Sequence, residues 1–361
     1  MRYGSLDSLR GLAAMVVVFH HLRLVLQDEP SALIKNTPLR LLFSGESAVI
    51  VFFVLSGFVL HLSLTSGGPK PVWAYALRRF LRIYLPFCIA ILVSALLWHL
   101  IEPTSLPSVM PWINLYSWQV RPDMQVILAH LFMTDARAMQ SLDNVMWSLV
   151  VELRLSLLFP IIATGLLWNW RATCALSIAC SLGCAYLDRF SSPEWVVNPF
   201  LTGKYLALFA IGGAMAENVA RLQVVIGGMR PLLRTLLWCL ALVLFSFYPT
   251  RAFGVPTTLG ATVLVALTLS DARVQPVLLS RMPLWLGRVS YSLYLIHLPV
   301  MLALLHILQG AVPPPLVLPL AGISSLGAAE VMFRAVELPS IRMGRRLLTP
   351  PHLLARASHA E

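Results

Sequence analysis

The chain has 361 residues, of which 58% are apolar and only 12% charged, with a mean hydropathy of +0.77. That balance excludes an ordinary soluble domain, in which about 25% of residues are charged, and equally a disordered chain. The formal net charge of +11 would point to nucleic acid in a soluble protein. In a membrane protein it reads as loop charge that sets topology and meets anionic lipid head groups, with no nucleic-acid partner.

Apolar segments near the ~20 residues that cross a bilayer recur at about 9–26, 46–64, 83–101, 147–168, 172–187, 201–219, 232–248, 255–270, 287–309 and 316–335. The first is followed by no small-residue cleavage site and reads as a span. The expected fold is therefore an all-α membrane protein, a bundle of about ten transmembrane helices. With the N-terminus inside, the inner loops hold about twice as many Lys and Arg as the outer ones, among them Arg221, Arg230 and Arg234, so both termini are expected to be cytoplasmic. Residues 1–340 read as one polytopic membrane domain and 341–361 as a basic, disordered cytoplasmic tail. The longest stretch between spans, about 102–146, is rich in Pro and Trp and is expected along the outer membrane surface, with "MQVILAHLFM" as an interfacial or re-entrant helix. Trp112, Tyr116 and Trp118 in this stretch fit either an interfacial belt or a surface that stacks on sugar rings. The five cysteines lie inside apolar runs and read as packing residues rather than disulfides or metal ligands, so no metal is expected.

Polar residues inside spans are costly there and mark candidate sites. In "SLRGLAAMVVVFHHL", Arg10 and His21 are eleven residues apart, three turns and about 20°, so they share a helix face about 16 Å apart along the axis. Their structural alternative is an anchoring cation and two capping imidazoles. "ALRRFLRIYLP" brings Arg78, Arg79 and Arg82 to the start of the third segment, as topology signals or as a phosphate clamp. In "MWSLVVELRLSLLFP", Glu152 lies one helical turn after Ser148, on the same face; a Glu–Arg pair locking two helices is the alternative. Ser290, Tyr294 and His297 form a polar stripe at i, i+4 and i+7, which also suits plain helix-to-helix hydrogen bonding.

Six of these stretches in this order resemble the integral membrane acyltransferases of acyltransferase family three, which O-acylate bacterial surface polysaccharides and some smaller acceptors. They are "LDSLRGLA" with the Arg10 to His21 spacing, "VFFVLSGFVL", "RRFLRIYLP", "MWSLVVE", "GRVSYSLYLIHLP" and "VELP". The resemblance covers nearly the whole chain. One departure is visible: where the family commonly follows the glutamate with a Phe-Tyr pair, this chain has Leu155 and Ser156. His20 does not satisfy the family spacing, and His21 does.

The resemblance implies transfer of an acyl group, acetyl by preference, from cytoplasmic acyl-CoA to an acceptor hydroxyl, on a polysaccharide or glycolipid at the bacterial cytoplasmic membrane. Arg78, Arg79 and Arg82 would hold the donor phosphates, with Arg10 nearby. His21 would act as general base or acyl carrier, Glu152 would orient it, and Ser148, Tyr294 or His297 would serve the oxyanion or the acceptor. Two other classes fit some of the same residues. A transporter or flippase for a glycan or lipid also places polar groups in spans, and the same acyl chemistry could act on a small molecule such as an antibiotic.

Overall fold

The computed structural model of the protein describes residues 3–26, 37–66, 71–107, 109–133, 141–190, 198–247 and 254–348. Every regular element among them is a helix. In order these are α1 (Gly4–Leu24), a 3-10 turn at Pro38–Phe43, α2 (Gly45–Thr65), α3 (Val72–Ile101), α4 (Pro111–Tyr116), α5 (Met124–Phe132), α6 (Met146–Asp188), α7 (Pro199–Lys204) and α8 (Leu206–Glu217). There follow α9 (Val219–Gly227), α10 (Pro231–Ser246), α11 (Val255–Ser270), α12 (Gln275–Leu278), α13 (Arg281–Ile307), α14 (Pro314–Met332), a π-helical turn at Phe333–Glu337 and α15 (Leu338–Leu348).

Six stretches among the described residues are long and apolar enough to cross a membrane: Gly45–Thr65, Val72–Ile101, Met146–Asp188, Pro199–Glu217, Arg281–Ile307 and Pro314–Leu347. α9 and α10 would make a seventh as one span, but they meet at a bend of 119°. α1, which carries Asp7, Arg10 and Arg23, is not among the six, and α11 has only 16 residues. The segments expected at 147–168 and 172–187 run together in α6, which breaks at Asn169 (φ −154°, ψ 94°). There the Asn169 side chain accepts a hydrogen bond from the amide of Ala172 at 3.1 Å and so caps the second half. Large apolar side chains point outward, Trp168 at 89% and Ile161 at 74% exposure, a surface that suits lipid and not water. The chain is a multi-pass membrane protein.

The centre of the bundle is α13, which packs on α1, α3 and α14, while α2 packs on α1 and α8. Two of these crossings are made by glycine. A Cβ on Gly11 would lie 2.4 Å from the Gly287 nitrogen, and one on Gly287 would lie 2.2 Å from the Asp7 carbonyl oxygen. In the same way a Cβ on Gly57 would meet the Phe209 carbonyl at 2.1 Å, and one on Gly212 the Val54 carbonyl at 2.0 Å. Without a side chain on either partner, the backbones come close enough for dispersion to hold them where lipid supplies no hydrophobic drive.

The stretch expected along the membrane surface is instead folded on to the helix ends. The Trp118 indole donates to Ser94 Oγ at 2.9 Å, Ser94 Oγ donates to the Leu142 carbonyl at 2.6 Å, and the Trp118 amide donates to the Ser141 carbonyl at 2.6 Å. Ile113, Trp118 and His130 are buried by it. At the other terminus, the expected disordered tail begins as helix: residues 341–348 belong to α15, which sets Gly344 beside Arg78 and Leu81 of α3. A helix continues there because Leu338, Ile341 and Gly344 share a face that packs inward, while Arg342, Arg345 and Arg346 stay exposed. Residues 349–361 lie outside the described residues.

A branched side chain at either glycine of the α1–α13 crossing must push the backbones apart. Gly287→Val is expected to lower the melting temperature of the detergent-solubilised protein by several degrees or abolish folded yield, whereas Gly327→Val, where a Cβ would meet open space, leaves the melting temperature unchanged. Thermal unfolding of both variants checks this.

Candidate active site

Five helices bring polar side chains to one cavity. α1 supplies Arg10, α3 supplies Arg79 and Arg82, α6 supplies Ser148 and Glu152, and α13 supplies Ser290, Tyr291 and Tyr294. Ser56 enters from α2, and Val49, Phe52 and Leu149 close the walls. The space of about 60 Å³ holds a few waters or a thin chain and no nucleotide. Three guanidiniums and one carboxylate give its lining a positive excess, and one of the three is already engaged: Arg10 Nη1 pairs with Asp7 Oδ1 at 3.2 Å.

Arg78 is not in the lining. On α3, Arg78 and Arg79 are about 100° apart with Arg82 between them, and the cavity opens on the side of Arg79, Arg82 and Ile83. Arg78 Nε donates to the Ala74 carbonyl at 3.2 Å, next to α15. Among the described residues Glu152 forms no ion pair within 4 Å; its Oε1 accepts from Ser56 Oγ at 2.9 Å. Nor does it meet His21, so the orienting contact expected between them is absent among the described residues. Arg154, on another face of α6, donates to Thr202 Oγ1 at 3.3 Å.

Tyr294 leads from this cavity to the histidines. Its hydroxyl lies 2.6 Å from Ser148 Oγ, and both hydroxyls reach the Val145 carbonyl, at 3.3 and 3.1 Å. One turn further along α13, His297 contacts Tyr294 (ring centroids 6.2 Å apart), and its Nε2 lies 3.2 Å from Nδ1 of His21. The hydrogen-bond network assigns the protons. His297 Nδ1 faces the Leu293 carbonyl at 3.0 Å and His21 Nδ1 faces the Val17 carbonyl at 2.9 Å. A carbonyl only accepts, so both Nδ1 atoms carry hydrogen. His297 Nε2 is then the acceptor across the pair, since a proton there would set two N–H groups against each other. In its neutral form His21 then has Nε2 bare: a lone pair of the kind a general base needs.

His20 faces another way. Its Nδ1 donates to the Phe43 carbonyl at 2.8 Å and its ring packs on Gly45, which fastens α1 to the start of α2. Two site residues were not singled out in the sequence. Ser56 was visible there as the only polar side chain between Ala48 and Leu60. Tyr291, whose hydroxyl donates to the Ile83 carbonyl at 2.7 Å, had no such signal. Beside the Leu155–Ser156 departure, Tyr75 of α3 donates its hydroxyl to the Ser156 carbonyl at 2.8 Å, so a tyrosine from another helix occupies that neighbourhood. Among the described residues, no group of three or more His, Cys, Asp or Glu is placed to hold a metal.

The sequence profile of the Acyl_transf_3 family, an acyltransferase domain, matches residues 3–334. The chain belongs to acyltransferase family three. It is an O-acyltransferase, and over most of its length it is similar to two proteins named as acyltransferases. "Acyltransferase MdmB" of Streptomyces mycarofaciens is 29% identical over 339 residues, covering 83% of this chain and 79% of that one. "O-acetyltransferase PaAT-1" of Phomopsis amygdali is 25% identical over 365 residues, covering 84% and 73%. No solved structure matches the chain. The Arg-to-His spacing on α1 thus has a geometric meaning here: Arg10 belongs to the charged cavity and His21 to the imidazole pair beyond it.

One further ionisable group adjoins the site from outside the spans. Asp143, just before α6, is buried, and neither carboxylate oxygen has a partner of normal hydrogen-bond geometry. Burial pushes its carboxyl well above the usual carboxylate range, against a smaller opposing pull from the backbone of Val145. The folded protein therefore keeps a proton that the unfolded chain releases above about pH 4, so stability falls as pH rises from there toward the raised pKa. Asp143→Asn removes that penalty. It is expected to melt at the same or a higher temperature than wild type at pH 8, with the difference closing near pH 4, as thermal melts across pH will show.

Proposed function

We propose that the enzyme transfers an acyl group, acetyl by its similarity to an O-acetyltransferase, from cytoplasmic acyl-CoA to a hydroxyl of a cell-surface or exported polysaccharide or glycolipid. In this reading the protein is one polytopic domain over residues 1–340 of the bacterial cytoplasmic membrane, with about ten crossings and both termini cytoplasmic. The observation that carries it is the placement of His21, its Nδ1 between the Val17 carbonyl and His297 Nε2, beyond a cavity that Arg10, Arg79 and Arg82 make positive.

The phosphates of the donor stay with Arg79 and Arg82, and the space of a few waters beyond them admits only the slender pantetheine arm. At the far end the acceptor O–H gives its proton to His21 Nε2 as its oxygen attacks the thioester carbonyl. The tetrahedral oxygen is stabilised by the Tyr294 and Ser148 hydroxyls, which can turn from each other toward it. The C–S bond then breaks, and the departing thiolate takes the proton back from His21, giving the ester and free CoA. His297 steadies the imidazolium by accepting from its Nδ1–H. Glu152 acts on the donor side of the cavity, offsetting guanidinium charge through the position Ser56 gives it.

The test is transfer of labelled acetyl from acetyl-CoA by the purified full chain in detergent, comparing wild type with His21→Ala. Transfer is expected to fall by 10² or more, in the range of a lost general base, with CoA binding within about threefold of wild type. Unchanged transfer by well-folded His21→Ala overturns the mechanism. Absence of both CoA binding and turnover in wild type overturns the donor.

A further inference from the structure

The helix α4 lies beside the reacting end of α1. It is fastened on both sides: the Met110 amide donates to the Val25 carbonyl at 3.3 Å, one residue beyond α1, and Ile113 is buried. Asn114 closes a two-way clasp on Leu106, Nδ2 to its carbonyl at 2.9 Å and Oδ1 from its amide at 3.0 Å. This leaves Trp112 and Tyr116, one turn apart on the same face, half-buried with ring centroids 5.9 Å apart. The Trp112 centroid lies 6.1 Å from that of His21, tilted by 43°. Trp118, by contrast, is buried and stacks on His306, so it belongs to the packing of the outer segment.

We propose that Trp112, extended by Tyr116, positions the acceptor by stacking on the apolar face of one of its sugar rings. The inference rests on the acyl-transfer reading with a glycan acceptor and names the residues that hold that acceptor. A pyranose has an apolar face of C–H groups and a rim of hydroxyls. Laid on an indole, it presents its hydroxyls at the rim of the aromatic plane, and the His21 ring lies 6.1 Å from this indole, centroid to centroid. An aromatic wall with one placed polar group is how concave sites fix the orientation of a ligand. An indole that only anchored the protein in the head-group region would have no reason to touch the imidazole at the centre of the site.

The test separates binding from transfer. Saturation-transfer NMR on the full chain in detergent, with methyl β-D-glucopyranoside and acyclic sorbitol as probes, reads binding without any donor. Acetyl transfer to the same glycoside gives KM and kcat. Wild type is expected to bind the cyclic probe in preference to sorbitol. Trp112→Ala is expected to lose that signal and raise the acceptor KM at least tenfold with kcat within about threefold; Trp112→Phe retains most of both. Leu115→Ala, on the exposed face of the same helix, behaves as wild type. Wild-type-like binding and KM in Trp112→Ala overturn the proposal, as does a fall in kcat alone, which would make Trp112 a support for His21. If no acetyl is transferred by any variant, the binding arm still decides the platform while the donor reading fails separately.

Discussion

The site depends on the backbone contact between Gly11 and Gly287. From that crossing, ten residues along α1 lead to His21 and ten residues along α13 lead to His297. Two parallel helices that start in register and rise equally per residue arrive in register, and the imidazoles meet at 3.2 Å. The crossing is reinforced lower down, where Ser8 Oγ donates to the Leu278 carbonyl at 2.5 Å. Any side chain at the glycines would shift the two ends together, so a steric constraint near Arg10 sets a hydrogen bond about 15 Å away. Arg10 and Gly11 are adjacent for that reason, as are Ser56 and Gly57 on α2: one residue faces the cavity and its neighbour allows the close approach.

The same arrangement divides the interior electrically. Guanidiniums and the Glu152 carboxylate gather in the cavity, while the imidazole end is organised by backbone carbonyls and by the contact of the two imidazoles with each other. Charge is tolerated in a membrane protein where it faces a polar cavity, and here it faces one. A neutral pair at the other end holds a lone pair on His21 without requiring a buried counter-ion, which would carry its own desolvation cost.

Much of this was legible in the sequence, because helix periodicity links positions along a single element. Arg10 and His21 on one face, and Ser290, Tyr294 and His297 as a stripe, needed only the 3.6-residue turn. Contacts between elements were not legible in that way. Glu152 was expected to orient His21 and instead accepts from Ser56, since nothing in the spacing within α6 says which helix lies opposite. Likewise the three arginines of α3 read as one cluster, and only the direction in which the cavity opens separates Arg78 from the other two. Hydropathy saw the apolar segments but not that α6 would carry two of them on either side of Asn169, nor that the Trp-rich stretch would fold inward through Trp118.

α3 holds Arg79 and Arg82, and unlike α1, α2 and α13 it contains no glycine with which to lock on to a neighbour. It does contain Pro86, which lacks the amide that would bind the Arg82 carbonyl four residues earlier. The cation-bearing turn is thus the compliant one in an otherwise continuous rod. With the acyl-CoA donor proposed above, bending at that turn would let the two guanidiniums shift with the donor's phosphates as it enters and leaves.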